Sequence, residues 1–166
     1  MENSNILVRK YAPRDLDEMI RIWNEIVAEG NAFPQEKPLD AQSGENFFGG
    51  QTYCAVAQSG GGEIVGLYIL HPNNVGRCGH ICNASYAVSS RHRGKGIGEM
   101  LVRDCIAQAG KLGFGVLQFN AVVESNVRAR KLYEKLGFVQ LGTIPRGFRM
   151  KDGSFENICP YYIELN

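Results

Sequence analysis

Three glycines, Gly94, Gly96 and Gly98, stand at alternate positions in the stretch Val88-Ser89-Ser90-Arg91-His92-Arg93-Gly94-Lys95-Gly96-Ile97-Gly98. Three basic side chains, Arg91, Arg93 and Lys95, are interleaved with them. Without a Cβ, glycine lets the backbone come close to a bound group. An apolar pattern at helical spacing begins at Ile97. The start of a helix offers unpaired N–H donors and a partial positive charge. Together these features make a site for a pyrophosphate or similar anion. The glycine spacing excludes the two commonest nucleotide loops. A dinucleotide fingerprint needs two residues before its third glycine, and a Walker loop needs Ser or Thr where Gly96 stands.

Such a loop has to be held by a strand running in and a helix running out. His80 to Ser89 is the expected strand, and Ile97 to Leu112 the expected helix, with Ile97, Met100, Leu101, Cys105, Ala109 and Leu112 as its apolar stripe. Upstream, Ile6 to Arg9 reads as a strand. Asp15, with Glu18 three residues on, forms a capping-box pattern ahead of a helix that stops at Gly30. Asn31 to Pro38 is a loop with an exposed-looking Phe33, and a short helix covers Asp40 to Phe48. Thr52 to Gln58 and Glu63 to His71 form a hairpin across Ser59-Gly60-Gly61-Gly62. Downstream, Val116 to Val123 is a strand, and Ser125 caps a helix to Leu136 with Ala129, Leu132, Tyr133 and Leu136 on one face. Phe138 to Arg149 and Asn157 to Leu165 close the chain as two strands. The order β-α-α-β-β-β-α-β-α-β-β predicts an α/β (α+β) fold: a mixed, mostly antiparallel sheet of about seven strands, with helices on both faces. One domain over residues 1–166 is expected.

The formal net charge of +1 argues against a nucleic-acid partner. Five scattered cysteines imply no disulfide framework and point to a reducing, cytoplasmic setting. No signal-peptide pattern or membrane-length apolar run is present, so no membrane partner is expected.

The run Arg91-x-x-Gly94-x-Gly96, between an apolar strand and an amphipathic helix, resembles the acetyl-CoA signature of the Gcn5-related N-acetyltransferase (GNAT) family. A second block agrees: Asn126, Ala129, then Leu132-Tyr133-Glu134-Lys135-Leu136-Gly137-Phe138 looks like that family's next helix and strand. The resemblance implies a single GNAT domain with acetyl-CoA as cosubstrate and no metal. It places the CoA pyrophosphate on the backbone N–H groups of Arg93, Gly94, Lys95, Gly96, Ile97 and Gly98. It sets the pantetheine arm against the backbone near Val88, with Asn126 and Ala129 beside it. It also implies that the strands ending at Ser89 and starting at Val116 splay apart around the thioester. Backbone N–H near Tyr86 to Val88 then stabilises the growing oxyanion, and Tyr133 protonates the leaving sulfur. Read without the resemblance, Tyr133 is a core aromatic. Arg128 and Arg130 read first as a solvated basic face, with a contribution to CoA phosphate binding as the alternative.

The stretch His80-Ile81-Cys82-Asn83-Ala84-Ser85-Tyr86, with Asn120 and Asn126, is similar to the fungal acetyltransferases of proline analogues such as azetidine-2-carboxylate. That similarity implies a small amino or imino acid as acceptor, with Asn83 and Asn120 holding it. An equal alternative is that both asparagines only satisfy backbone groups at the splay. Phe33, Tyr86 and Glu124 are further substrate-side candidates, Glu124 as a base or simply as a helix-start carboxylate. Phosphinothricin-like amino acids and protein amines are the alternative acceptors, and a non-catalytic CoA sensor is the alternative function. Homodimers are common in the family, but no interface can be assigned. Cys78-x-His80-x-Cys82 is too spread along a strand for tetrahedral zinc. His71 and His92 read as loop histidines.

Overall fold

Residues 53–58 and 64–72, buried along nearly their whole length, and residues 81–88, whose buried side chains alternate, pair in turn as an antiparallel meander. The computed structural model, which describes residues 5–166, contains β1 (Leu7–Lys10), α1 (Leu16–Glu29), α2 (Ala41–Gly49), β2 (Tyr53–Gln58), β3 (Ile64–Pro72) and β4 (Ile81–Val88). The second half adds α3 (Ile97–Lys111), β5 (Val116–Val123), α4 (Val127–Lys135), β6 (Val139–Gln140), β7 (Ile144–Arg149) and β8 (Phe155–Glu164). The strands form one sheet in the order β1-β2-β3-β4-β5-β8-β6, with β7 also on β8. Every pairing is antiparallel except β4 with β5. No helix among the described residues is long and apolar enough to cross a membrane.

Each face of the sheet has its own core. On one face α1 buries Met19, Ile22, Trp23, Ile26 and Val27 against Val56, Leu67, Ile69 and Ala87. Gly44 lets α2 close on α1, because a Cβ there would meet Ile20 Cδ1 at 2.4 Å. Phe33 belongs to this core. It is 8% exposed and lies 4.2 Å from the Trp23 ring, so the expectation of an exposed side chain is corrected. The amide of Asn24 holds the segment in place by bonding both the N–H and the C=O of Leu39 at 2.8 Å. On the other face α3 buries Ile97, Leu101, Val102, Cys105 and Ala109 against Tyr68, Leu70, Cys82 and Ala84. Met100 and Leu112, expected in that stripe, are exposed, and Val102 takes their place.

Three local expectations change. Asp15 precedes α1 but makes no side-chain cap; it accepts from both Arg9 Nη atoms and from the Ala12 N–H. Its expected partner Glu18 instead accepts from Ile64 N–H at 3.0 Å, tying α1 to the start of β3. The cap of α4 is Asn126, whose Oδ1 accepts from Ala129 N–H, while Ser125 donates to Glu156. The stretch expected as one strand from Phe138 to Arg149 is two, making eight in all. The break lies opposite Pro160 of β8, which has no N–H to continue the ladder past Gln140↔Tyr161. Leu141 N–H still bonds Pro160 O, and pairing resumes at Ile144↔Ile158.

Candidate active site

The site forms where the sheet comes apart. β4 and β5 are eight residues each but pair only at Ile81↔Val116 and Cys82↔Leu117. Beyond Cys82 they diverge. Asn83 sits at the fork, where its Nδ2 donates to Gln118 O at 2.8 Å. The C=O of His80 faces β5 and the N–H of Ser89 faces β3. Strand alternation therefore turns the N–H groups of Tyr86 and Val88 into the gap. The gap opens into a cavity of about 730 Å³ that reaches both faces of the sheet.

On the α3 face its wall includes Tyr86, Gly98, Phe119, Asn126, Ala129 and Tyr133. On the α1–α2 face it includes Phe33, Gln51, His71, Asn83, Ser85 and Asn120. Two cavity-lining residues carry buried polar atoms with no partner, the Tyr86 hydroxyl and Gln51 Oε1. Such atoms are costly unless something bonds them. Tyr133 packs on Phe119 at 4.5 Å and on Phe138 at 5.6 Å. Burial, with Cys105 and Tyr161 nearby, pushes its hydroxyl above a tyrosine's ordinary range. It therefore keeps its proton at neutral pH.

The glycine loop lies at the α3 end of the gap. Ser90 to His92 form a single 3-10 turn, Arg93 is extended, and Gly94 and Gly96 have φ of 77° and 79°. These left-handed values favour glycine. A Cβ at either position would meet nothing within 4 Å, so the loop surface is open to a ligand. Gly96 begins α3 with no side-chain cap, which leaves the first-turn N–H groups free for an anion. These features fit a pyrophosphate. Two carboxylates of α1 hold the loop: Glu25 accepts from Ser90 N–H at 2.9 Å, and Glu29 pairs with Arg93. The Arg93 side chain is thus engaged within the protein, leaving its backbone for a ligand.

The remaining candidates separate. Asn120 exchanges amide hydrogen bonds with Asn73, at 2.6 and 3.3 Å. Glu124 does not line the cavity; its carboxylate accepts from Asn157 Nδ2 at 2.7 Å. Arg130 is not part of a solvated face. It bonds Tyr161, Glu124 O and Gln140, joining α4 to β8, β6 and the turn that follows β5. Cys78 is exposed, whereas Cys82 is buried and its thiol donates to Val116 O. Burial pushes the thiols of Cys54 and Cys105 up to about 12 and that of Cys82 up to about 11, so none is a ready nucleophile. Gln51 and Asn73 carry no signal in the sequence, and His71, expected to be a loop histidine, stands in β3 and lines the cavity. The signal for His71 is register: it stands directly opposite Asn83.

A family model described as "Acetyltransferase (GNAT) family" matches residues 16–138. N-acetyltransferase aca1 of Schizosaccharomyces pombe is 39% identical over 89 residues, which are 54% of this chain and 43% of that protein. The matched region is therefore less than half the length of that relative. A GCN5-related N-acetyltransferase structure from Kribbella flavida is 30% identical with a TM-score of 0.89, covering 96% of this chain and 98% of that one. A phosphinothricin acetyltransferase from Sinorhizobium meliloti, solved in complex with AcCoA, shares the fold at a TM-score of 0.90 and 22% identity. It covers 97% of this chain and 89% of its own.

Proposed function

The chain belongs to the acetyltransferase (GNAT) family, and from that membership we propose that it transfers an acetyl group from acetyl-CoA to the amine of a small amino or imino acid, with both reactants bound at once. The observation that carries this reading is the divergence of β4 from β5 after two pairs, which joins two chemically different walls in one cavity. Acetyl-CoA supplies an acetyl group activated as a thioester. The open N–H groups from Arg93 to Gly98 bind its pyrophosphate. Asn126 and Ala129 line the cavity on the way from that loop into the gap, and Val88 ends β4 beside it. The inward N–H groups of Tyr86 and Val88 stabilise negative charge as it grows on the carbonyl oxygen. Tyr133 holds a proton at its hydroxyl for the leaving sulfur.

Asn83, Ser85 and Asn120 line the acceptor side with Phe33 as an apolar wall; beyond their bonds to Gln118 and Asn73, Asn83 keeps its Oδ1 and one N–H, and Asn120 one N–H, for the acceptor. An amide both donates and accepts, which suits an amine and a carboxylate on one small molecule. Among the described residues no carboxylate lines the cavity, so a lysine side chain finds no counter-charge there. That favours a small amino acid over a basic protein tail.

The test is thiol release from acetyl-CoA across a panel of amines: proline, azetidine-2-carboxylate, phosphinothricin and a lysine peptide. Turnover is expected with a small amino or imino acid, and Asn83→Ala should raise its KM while leaving the acetyl-CoA KM unchanged. Tight CoA binding with no turnover of any amine would make the chain a binding module instead. Turnover of the lysine peptide alone would overturn the acceptor class.

A further inference from the structure

We propose that His71 is the general base that takes a proton from the acceptor amine; this rests on the acetyltransferase reading above. His71 lies two residues beyond Ile69, which packs into the α1-side core, so strand alternation turns both to that face. It is directly opposite Asn83 in the β3–β4 ladder, where paired Cβ atoms lie about 4.5–5.5 Å apart. Both residues line the acceptor wall of the cavity.

The hydrogen bonding sets the tautomer. Nδ1 of His71 is 2.9 Å from Pro72 O, which can only accept. The neutral imidazole therefore carries its proton on Nδ1, leaving the Nε2 lone pair free. Gln51 Oε1 supplies an independent sign of an amine seat: it lines the same wall as a buried acceptor with no donor. An ammonium can give one N–H to Gln51 and another to Nε2.

The other titratable or charged groups lining the cavity are Tyr86 from β4, and Arg128 and Tyr133 from α4. The contributing segments of α2, α3, β5 and the loop holding Phe33 add none. Burial keeps both tyrosines protonated at neutral pH, and a guanidinium does not accept a proton. Imidazole alone among these groups offers a nitrogen lone pair that takes up a proton.

The step balances as follows. An N–H bond of the ammonium breaks and an Nε2–H bond forms, leaving a lone pair on the acceptor nitrogen. That pair forms the C–N bond to the acetyl carbon as the C–S bond breaks and its electrons leave with sulfur; sulfur takes the Tyr133 proton, and the proton still on the new amide nitrogen returns to the tyrosinate by way of solvent. The imidazolium returns its proton to solvent at the rim, where Pro72 is exposed.

The decisive comparison is wild type against His71→Gln with two acceptors: the accepted amino acid, and an aminooxy acid of similar size that is already neutral at pH 7. For the ammonium acceptor, kcat/KM should fall about 100-fold, with the acetyl-CoA KM unchanged and the acid limb of the pH profile lost. For the aminooxy acid the loss should shrink to about threefold, because no proton need be removed before attack. Long-range ¹H–¹⁵N spectra of the free wild-type protein should show the Nδ1–H tautomer. An unchanged acid limb, an equal loss with both acceptors, or an Nε2–H tautomer would each overturn the assignment. A wild type that binds acetyl-CoA but turns over no amine would sink the acetyltransferase reading and this one with it; a defect confined to the variant separates the two.

Discussion

Tyr133→Phe isolates one oxygen atom. The Tyr133 ring packs on Phe119, Phe138 and Tyr161, with centroids at 4.5, 5.6 and 5.9 Å. Phenylalanine keeps all three contacts. No hydrogen bond of the hydroxyl is among the causes that shift its titration, which are burial and the neighbouring Cys105 and Tyr161. Removing it should therefore change stability by less than about 0.5 kcal/mol, against about 1 kcal/mol for a hydroxyl in a hydrogen bond. If that hydroxyl protonates the leaving sulfur, kcat should fall at least about 100-fold, equivalent to about 2.7 kcal/mol of activation free energy. The acetyl-CoA KM should change less than about threefold, since the ring still forms the wall. The sign of the pH effect follows from burial. The acid works protonated and its pKa is raised, so the wild type should keep activity at a pH near ~10, where an ordinary tyrosine loses its proton. Steady-state kinetics from pH 7 to 10, with a thermal melt of each protein, make the measurement. An unchanged kcat removes Tyr133 as the acid. A fall in kcat accompanied by a lower melting temperature assigns it to packing instead.

Two further perturbations test the loop and the frame. Gly96→Ala places a Cβ in open space at φ 79°, so its cost is backbone strain of about 1 kcal/mol, or roughly 2–4 °C in Tm. The acetyl-CoA KM should rise about tenfold while the acceptor KM stays put, and an unchanged acetyl-CoA KM would remove the pyrophosphate from this loop. Asp15→Asn breaks the pair between Arg9 and a carboxylate that is 4% exposed, at a cost of about 3 kcal/mol in urea unfolding at pH 7. Arg9, helped by the Ala12 N–H, holds this carboxyl below its ordinary range despite desolvation. Its stabilisation is complete above the unfolded pKa of about 3.9 and is lost as pH falls through the lower folded value, so the gap to the variant should narrow towards pH 3. A gap independent of pH would show that the ion pair is not its source.

The glycine loop is legible because it is local, and so is most of the apolar face of α3, where only Met100, Leu112 and Val102 depart from the pattern. Glycine spacing, helical periodicity and a stop at Gly113 lie within one short stretch. What the sequence hides is pairing across distance. Asp15 looks like a helix cap, but Arg9 is six residues away in the chain and reaches it through the fold. Ser125 looks like a cap beside Asn126, and only the geometry of Glu156 shows which of them turns away. The break in the expected strand at residues 138–149 is marked locally by Gly142, but its place is set by Pro160 on a different strand. His71 looks like a loop histidine because Pro72 follows it; its place opposite Asn83 comes from the β3–β4 register. The two roles expected of Asn83 do not exclude each other. Its Nδ2 bonds a backbone carbonyl at the fork, and the residue still lines the cavity.

The fork between β4 and β5 also bears on the order of events. The cavity is lined by residues of α3 and α4 on one face of the sheet and by the segment that carries Phe33 on the other. For the proposed reaction, the two reactants meet from opposite faces. Sterics therefore impose no compulsory sequence of arrival, and the acetylated product can depart while the spent carrier is still in place. Any ordering seen in kinetics would have to come from movement of the chain rather than from obstruction. The segment from Asn31 to Pro38, pinned to α1 through Asn24 and Leu39, is the acceptor's threshold.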